Sequence, residues 1–164
     1  AAKALHNSRV EVAKRLEESV VTTLRMLGME DAQFVVEVAE REQYTPLGTD
    51  DVAYLFTANR TTKPAAVERI ASGGELSRIM LALKALIAER RMLPTVIFDE
   101  IDTGVSGRIA DAMGDIIARM AETMQIVDIT HLPQVASKSG AHFVVYKEEG
   151  RSNIRRLAKA ERVD

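Results

Sequence analysis

Two adjacent carboxylates, Asp99 and Glu100, follow directly after the apolar run Thr95-Val96-Ile97-Phe98. Such a run is typical of a buried parallel strand, and ligands of open α/β sheets bind beyond the carboxyl ends of the strands. One carboxylate there suits Mg²⁺, which binds one or two carboxylates together with phosphates and waters. The other can orient or deprotonate a water molecule. Because adjacent residues on a strand point to opposite sides, we expect the two carboxylates to do different jobs.

A histidine occupies the equivalent place after the next apolar run. Residues 126–129 predict a second buried strand, and Thr130 and His131 follow it at once. His131 is therefore expected beside the same sheet edge as Asp99 and Glu100. The other two histidines, His6 and His142, show no partner pattern, and the sequence spacing predicts no metal cluster among the three.

The segment Ser72-Gly73-Gly74-Glu75 opens the strongest helical pattern of the chain. Ser72 and Glu75 have the spacing of a capping box. The two glycines allow another molecule to approach the backbone, and a helix start offers N–H groups to an anion. The alternative is a well-capped helix without a ligand. Capping explains Ser72 and Glu75, but not two glycines that each cost about 1 kcal/mol relative to alanine in a helix.

The triplet Asp102-Thr103-Gly104 matches, when taken alone, the catalytic triplet of aspartic proteases. That chemistry needs two such carboxylates sharing a proton, so a homodimer would have to supply the second copy. A helical pattern follows the triplet immediately, which disfavours the protease but leaves it as an alternative. The sequence has no Gly-x-x-x-x-Gly-Lys-Ser/Thr loop, so the usual cradle for nucleotide phosphates is not encoded here.

Composition limits the remaining possibilities. The chain has 164 residues, which fits one domain with a real core, and a formal net charge of −2, so no overall basic excess indicates nucleic acid. It has no cysteine, which excludes disulfides, thiolate metal sites and cysteine nucleophiles. No apolar run approaches the roughly 18 residues of a membrane span. The chain opens on Ala1 rather than methionine, and we expect it to be part of a longer protein.

The elements that must position these residues follow from hydrophobic periodicity. Residues 5–27 form a narrow apolar stripe of Leu5, Val12, Leu16, Val20 and Leu27, which predicts an amphipathic helix close to a coiled-coil seam and ended by Gly28. Further helices are predicted after the paired glycines, over 109–120 and from Pro133. Strands are predicted over 32–39, 52–57, 95–98, 126–129, 142–147 and 153–157. The alternation of strand and helix predicts an α/β fold.

Taken in order, these motifs resemble the second half of an ATP-binding-cassette ATPase head. Ser72 to Glu75 resembles the signature motif, 96–100 the Walker B strand, 102–107 the D-loop, and His131 the switch histidine. Three longer stretches narrow the resemblance to the RecN family of bacterial DNA-repair proteins, relatives of the SMC proteins. They are 71–78 (ASGGELSR), 98–107 (FDEIDTGVSG) and 130–136 (THLPQVA). The resemblance covers roughly residues 5–159.

The resemblance implies a role for each candidate residue. Asp99 would hold Mg²⁺, Glu100 would act as general base for the attacking water, and His131 would contact the γ-phosphate of ATP. The signature residues would bind the γ-phosphate held by a second head, and Asp102 would cross the seam between the two heads. The ATP-binding set is Ser72, Gly73, Gly74, Glu75 and Asp102.

The resemblance also implies an organisation. Residues 1–27 would end a returning coiled-coil helix, and 28–164 would form the C-terminal lobe of an ABC/SMC-type P-loop ATPase head. The Walker A lobe would lie far upstream, so this chain alone would be inactive. In the full protein, ATP binding would join two heads and hydrolysis would release them, in the repair of DNA double-strand breaks in the bacterial cytoplasm and nucleoid. The alternative is a non-catalytic interaction module with the same fold.

Overall fold

The computed structural model describes residues 1–69, 72–91 and 93–162 and divides the chain into two compact units, residues 1–87 and 88–164. Every candidate site residue falls within the described residues, whereas Ala71, the first residue of the signature-like stretch, lies outside them. The mixture of helices and strands confirms the predicted α/β class. In the part of the chain that is described, no helix is long and apolar enough to cross a membrane.

The first helix, α1, spans Ala2–Met26 and ends as its sequence predicts. The Gly28 N–H donates to the Arg25 carbonyl at 3.0 Å, and the Met29 N–H donates to the Leu24 carbonyl at 3.0 Å. This is a Schellman motif, and Gly28 has a φ of +78°, which glycine adopts without steric cost.

The predicted stripe is covered only in its second half. Val20 and Leu27 are fully buried and Leu16 packs against the core, whereas Val12 is 51% exposed and Leu5 is 40% exposed. Val20 and Leu24 belong to the core that the helix shares with the sheet, so that contact determines which side of α1 is covered. The coiled-coil role of residues 1–27 stays a prediction.

Three antiparallel strands follow, in the order β1-β2-β3: β1 is Gln33–Thr45, β2 is Gly48–Thr57 and β3 is Ala65–Ala66. The first two are longer than predicted because polar residues continue the pairing beyond the apolar runs, with Glu40 opposite Asp50. A short 3-10 helix, Val67–Arg69, precedes α2, which spans Gly73–Arg91. The core of this unit combines residues of α1, the sheet and α2, among them Val20, Leu24, Phe34, Phe56, Ile79 and Ala82.

The second unit contains a β-α-β arrangement. Strand β4 (Thr95–Asp99) pairs in parallel with β5 (Gln125–Ile129), and helix α3 (Gly107–Ala121) connects them. The chain continues through the short helix α4 (Pro133–Ala136) into an antiparallel hairpin of β6 (Phe143–Glu148) and β7 (Arg151–Arg156), and a 3-10 helix follows at Lys159–Glu161. The predicted helices and strands of this half are confirmed. The apolar side of α3 is buried: Ala110, Met113, Ile116, Ile117 and Met120.

The prediction that β4 and β5 are buried strands holds for only one face of their sheet. Phe98 is fully buried, but Ile97 is 61% exposed, Val127 42% and Ile129 52%. Because side chains alternate along a strand, these three share one face of the two-stranded sheet, together with Asp99. Parallel sheets normally have both faces covered, whereas one face of this sheet is open to solvent.

Candidate functional site

The signature-like segment lies at the start of α2, in the first unit. The Ser72 hydroxyl oxygen accepts the backbone N–H of Glu75 at 3.4 Å, which is the Ser72 half of the predicted capping box. A β-carbon added to Gly73 would meet no atom within 4 Å, so the backbone there is open to an approaching molecule. Ser72 and Glu75 thus shape a helix start whose first turn is accessible.

Arg78 connects this helix start to the end of α1 by two hydrogen bonds. Its Nε donates to the Gly74 carbonyl at 3.0 Å, and its Nη1 donates to the Leu27 carbonyl at 3.2 Å. The last carbonyls of a helix lack partners within the helix and favour cations. Arg78 therefore connects the signature-like turn directly to the C-terminus of the long N-terminal helix.

Asp99 and Glu100 lie at the carboxyl end of β4 in the second unit, and both are exposed. Asp99 is the last strand residue, and Glu100 adopts a φ of +48°, which is uncommon for a residue other than glycine. Two hydrogen bonds hold this conformation: the Glu100 N–H donates to the Ile129 carbonyl at 3.0 Å, and the Thr103 hydroxyl donates to the Glu100 carbonyl at 2.8 Å. Backbone strain of this kind concentrates at functional sites.

His131 lies beside the same sheet edge. Asp99 is opposite Ile129 in the parallel register, so Thr130 and His131 follow β5 next to the point where Glu100 follows β4. The His131 side chain is 66% exposed. The structure thus brings Asp99, Glu100 and His131 to one edge of one sheet, as their sequence positions predict.

Asp102 is buried in this chain, and its crossing of a seam between two heads stays a prediction. The residue is only 1% exposed, and its carboxylate is turned inward, where Oδ2 accepts a hydrogen bond from the Thr130 hydroxyl. Its Oδ1 lies 3.9 Å from Nδ1 of His131. The hydrogen bond to Thr130 explains the inward orientation, since a buried carboxylate needs a donor.

A second carboxylate, the partly buried Asp128, lies on β5. Burial, and to a smaller extent the charge of Asp102, raises the pKa of Asp128 to about 6. Asp128 is opposite Phe98 in the register, on the covered face of the sheet, which accounts for its desolvation. The sequence patterns predicted no role for Asp128 or Thr130. Serine and threonine hydroxyls often accept the backbone N–H of the residue two positions later in a turn, and this tendency could have indicated Thr130.

The carboxylates at this sheet edge fit Mg²⁺ that is bound together with the phosphates of a nucleotide. Among the described residues, no three histidine, aspartate or glutamate side chains converge as a metal site built by protein alone requires. Mg²⁺ in nucleotide sites instead takes one or two carboxylates, phosphate oxygens and waters. The exposed carboxylate of Asp99 at a strand end fits that pattern.

The protease alternative does not fit this arrangement. Asp102-Thr103-Gly104 connects a parallel strand to α3, and the carboxylate that would act on a peptide is buried against Thr130. Aspartic proteases need two carboxylates that share a proton at an accessible site.

Comparisons with known proteins agree with this architecture. No family profile matches the chain. The chain is 41% identical over 164 residues to the DNA repair protein RecN of Rickettsia bellii, a match covering 98% of this chain and 30% of that protein. It is 38% identical over 167 residues to RecN of Haemophilus influenzae, covering 99% of this chain and 30% of the relative. The chain therefore spans about a third of the length of these relatives.

Solved structures with a similar fold include head domains of SMC proteins. The Smc head domain of Pyrococcus furiosus with an extended coiled coil superimposes with a TM-score of 0.74 at 17% identity, over 98% of this chain and 39% of that one. A structure from work on ATP-driven dimerisation of SMC ATPases gives a TM-score of 0.65 at 16% identity, over 95% of this chain and 91% of that one. In sequence, this chain is therefore similar to a segment of RecN, and its fold is that of SMC head domains.

Proposed function

We propose that this chain is the signature and Walker B lobe of an ATPase head that hydrolyses ATP when joined to the N-terminal Walker A lobe of the same protein. The observation that carries the proposal is the convergence of Asp99, Glu100 and His131 at the carboxyl edge of β4 and β5. Binding and catalytic residues of open α/β sheets lie at this edge.

We assign a different part of the chemistry to each of these residues. Asp99 would hold Mg²⁺, which offsets the charge on the ATP phosphates. Glu100 would take a proton from the water that attacks the γ-phosphorus, while the bond from that phosphorus to the β-phosphate oxygen breaks and ADP leaves. His131 would contact the γ-phosphate. General-base assistance is worth about 10²–10⁴ in rate, so Glu100 is the most sensitive position.

The signature-like turn fits a second nucleotide. Gly73 is open on its Cβ side, and Ser72 and the first N–H groups of α2 can donate to a phosphate. We infer that Ser72, Gly73, Gly74 and Glu75 bind the γ-phosphate held by another copy of the protein, so that ATP joins two heads in a homodimer. The solved SMC relative described for ATP-driven dimerisation supports this step.

We infer that the Walker A lobe binds the open face of the second unit. Ile97, Val127 and Ile129 expose a contiguous apolar surface that shares its side of the sheet with Asp99. A parallel sheet normally has both faces covered. The upstream lobe would cover this face and bring the phosphates of ATP to Asp99, which is why we expect the chain alone to be inactive.

The biological setting comes from the relatives. Since the matched curated proteins are named for DNA repair, the full protein would act on DNA, at ends or single strands, in the bacterial cytoplasm and nucleoid. The net charge of −2 gives this chain no overall basic excess that would attract DNA. Contact with DNA is expected through the longer protein.

The decisive experiment is ATP turnover with Mg²⁺, measured on this chain alone and after mixing with the upstream half. We expect no turnover alone and turnover on mixing. Glu100→Gln should lower kcat by about 10²–10⁴ while ATP still binds. Glu122→Gln, an exposed carboxylate after α3, is the matched control and should behave as the unmodified chain.

Two outcomes would contradict the proposal. Turnover by the chain alone would mean that the phosphates are held without a Walker A lobe. No turnover on mixing two halves that are folded and associated would favour the non-catalytic interaction module.

A further inference from the structure

Asp102 has two oxygens in unequal surroundings. Oδ2 accepts the hydrogen bond from the Thr130 hydroxyl, whereas Oδ1 is buried and has no hydrogen-bond partner among the described residues. A buried carboxylate oxygen without a donor is costly, and native structures keep such groups only where something else requires them. The stability of the fold alone therefore does not explain the carboxylate at this position.

The missing donor is within reach. Nδ1 of His131 lies 3.9 Å from Oδ1, beyond hydrogen-bonding distance, and the side chain is 66% exposed. A rotation of the imidazole that brought Nδ1 to about 2.9 Å from Oδ1, the usual length of such a hydrogen bond, would supply the donor. Oδ1 would then be paired, and the opposite ring nitrogen, Nε2, would point away from the buried carboxylate.

Thr130 fixes the backbone that carries the imidazole. Its hydroxyl donates to Asp102 and at the same time accepts the backbone N–H of Leu132 at 2.9 Å. A single hydroxyl thus connects the loop after β4 to the residues on both sides of His131.

We propose that Asp102 and Thr130 are positioning residues for His131: the buried carboxylate orients Nδ1, and Nε2 is thereby presented to the γ-phosphate. The proposal rests on the proposed ATPase function, because it assigns the orientation of a residue that contacts the nucleotide there. The ring nitrogen that contacts a ligand is determined by the hydrogen bond of the other nitrogen. Losing this orientation should slow the chemical step more than it weakens nucleotide binding.

The kinetic test is a double-mutant cycle in the reconstituted head. Asp102→Asn and Thr130→Val should each lower kcat at least about tenfold with KM changed less than about threefold, while Thr130→Ser, which keeps the hydroxyl, should retain activity. In a His131→Ala background, Asp102→Asn should have no further effect, because residues that act as one unit are not additive. Additive losses of kcat would overturn the proposal.

A second measurement does not depend on turnover. Nitrogen NMR of the three histidine side chains, with His131 identified by His131→Gln, reports the state of each ring. Thr130→Val and Asp102→Asn should shift the His131 ring resonances and leave those of His6 and His142 in place, which also shows that the variants are folded. Unchanged His131 resonances in folded variants would overturn the proposal. A shift in a protein without turnover would instead contradict only the ATPase function.

Discussion

Nδ1 of His6 lies 2.7 Å from Oδ1 of Asp50, although the two residues are 44 positions apart. Arg9 completes the contact, since its Nη1 donates to Oδ2 of Asp50 at 2.7 Å and its Nη2 donates to the Leu47 carbonyl at 2.8 Å. The Asp50 side chain is inaccessible to solvent. Two residues of α1 therefore hold the end of the β1–β2 hairpin.

Asp50→Asn should lower the melting temperature of the chain, because it removes the charge that both His6 and Arg9 contact. Asp51→Asn is the matched control: Asp51 pairs with Arg41, but both side chains are largely exposed, and exposed pairs contribute little. Equal melting temperatures for the two variants would contradict this role of Asp50.

The same contact gives a pH dependence. The hydrogen bond from Arg9, followed by that from His6, holds the pKa of Asp50 below its ordinary value. The unfolded chain then binds more protons than the folded chain in the acid range, so the stabilisation is present above the ordinary carboxyl pKa and is lost as the pH falls through the folded value. Melting temperatures of the chain and of Asp50→Asn should converge on acidification.

The contact of His6 with Asp50 was not predictable from the sequence, whereas most helices and strands were. Periodicity predicted α2, α3, β4, β5 and the final hairpin, because each is defined by local apolar spacing and by turn residues. His6 showed no partner pattern, since a contact across 44 residues leaves no local signal. The extension of β1 beyond residue 39 was missed for a related reason: its polar residues are paired by the hairpin and not by a core.

The positions of the candidate site residues along the chain were predictable, but not all of their contacts. Asp99, Glu100 and His131 lie at strand ends that hydrophobic runs define, so their convergence followed from the parallel order of β4 and β5. The inward orientation of Asp102 depends on one hydrogen bond from Thr130 and was not predictable from spacing. Nor was the open face of the sheet, because an apolar run does not show whether the element that covers it lies in the same chain.

Gly114 should be intolerant of a side chain. A β-carbon there would lie 2.9 Å from Cγ of Lys138, 3.2 Å from the Gln134 carbonyl oxygen and 3.3 Å from Cα of Val135. Lys138 cannot move aside without cost, since its amine lies 2.9 Å from Asp111 and 2.8 Å from Asp115. Alanine gains about 1 kcal/mol in helix propensity, but overpacking against backbone costs about 1–3 kcal/mol.

Gly114→Ala should therefore destabilise the chain by about 1 kcal/mol in denaturant unfolding, as the difference between these two effects. Gly140→Ala is the control, because a β-carbon there meets no atom within 4 Å. Its effect should stay within about 0.5 kcal/mol. Stabilisation by Gly114→Ala would show that α4 yields to the added methyl group.

The raised pKa of Asp128 predicts that the folded chain loses stability as the pH rises. Burial, and then the charge of Asp102, raises its pKa to about 6, so between the unfolded value near 3.8 and about 6 the folded chain binds more protons than the unfolded chain. Stability contributed by this group is complete below the unfolded pKa and is lost as the pH rises through about 6. Since the residue is only partly buried, solvent screening reduces the effect to about 1 kcal/mol.

Asp128→Asn should remove this dependence and raise stability at pH 7 relative to the unmodified chain, as measured by denaturant unfolding at pH 4, 5, 6 and 7. Glu122→Gln provides the comparison, because that carboxylate is exposed after α3. A slope between pH 4 and pH 7 that persists in Asp128→Asn would assign it to another group.

Ile97 and Phe98 are neighbours on β4 with opposite expectations. Phe98 is fully buried, so Phe98→Ala should destabilise the chain itself by about 3–5 kcal/mol. Ile97 is 61% exposed, and Ile97→Ser should change the unfolding free energy of the isolated chain by no more than about 0.5 kcal/mol.

If the upstream lobe covers this face, Ile97→Ser should nevertheless weaken association with that lobe and reduce turnover on mixing, because burying a hydroxyl in place of an apolar side chain is costly. Leu47→Ser, at a 77% exposed position on the β1–β2 hairpin, is the matched control and should leave association unchanged. Association of the Ile97→Ser chain with undiminished affinity would mean that the Walker A lobe binds elsewhere.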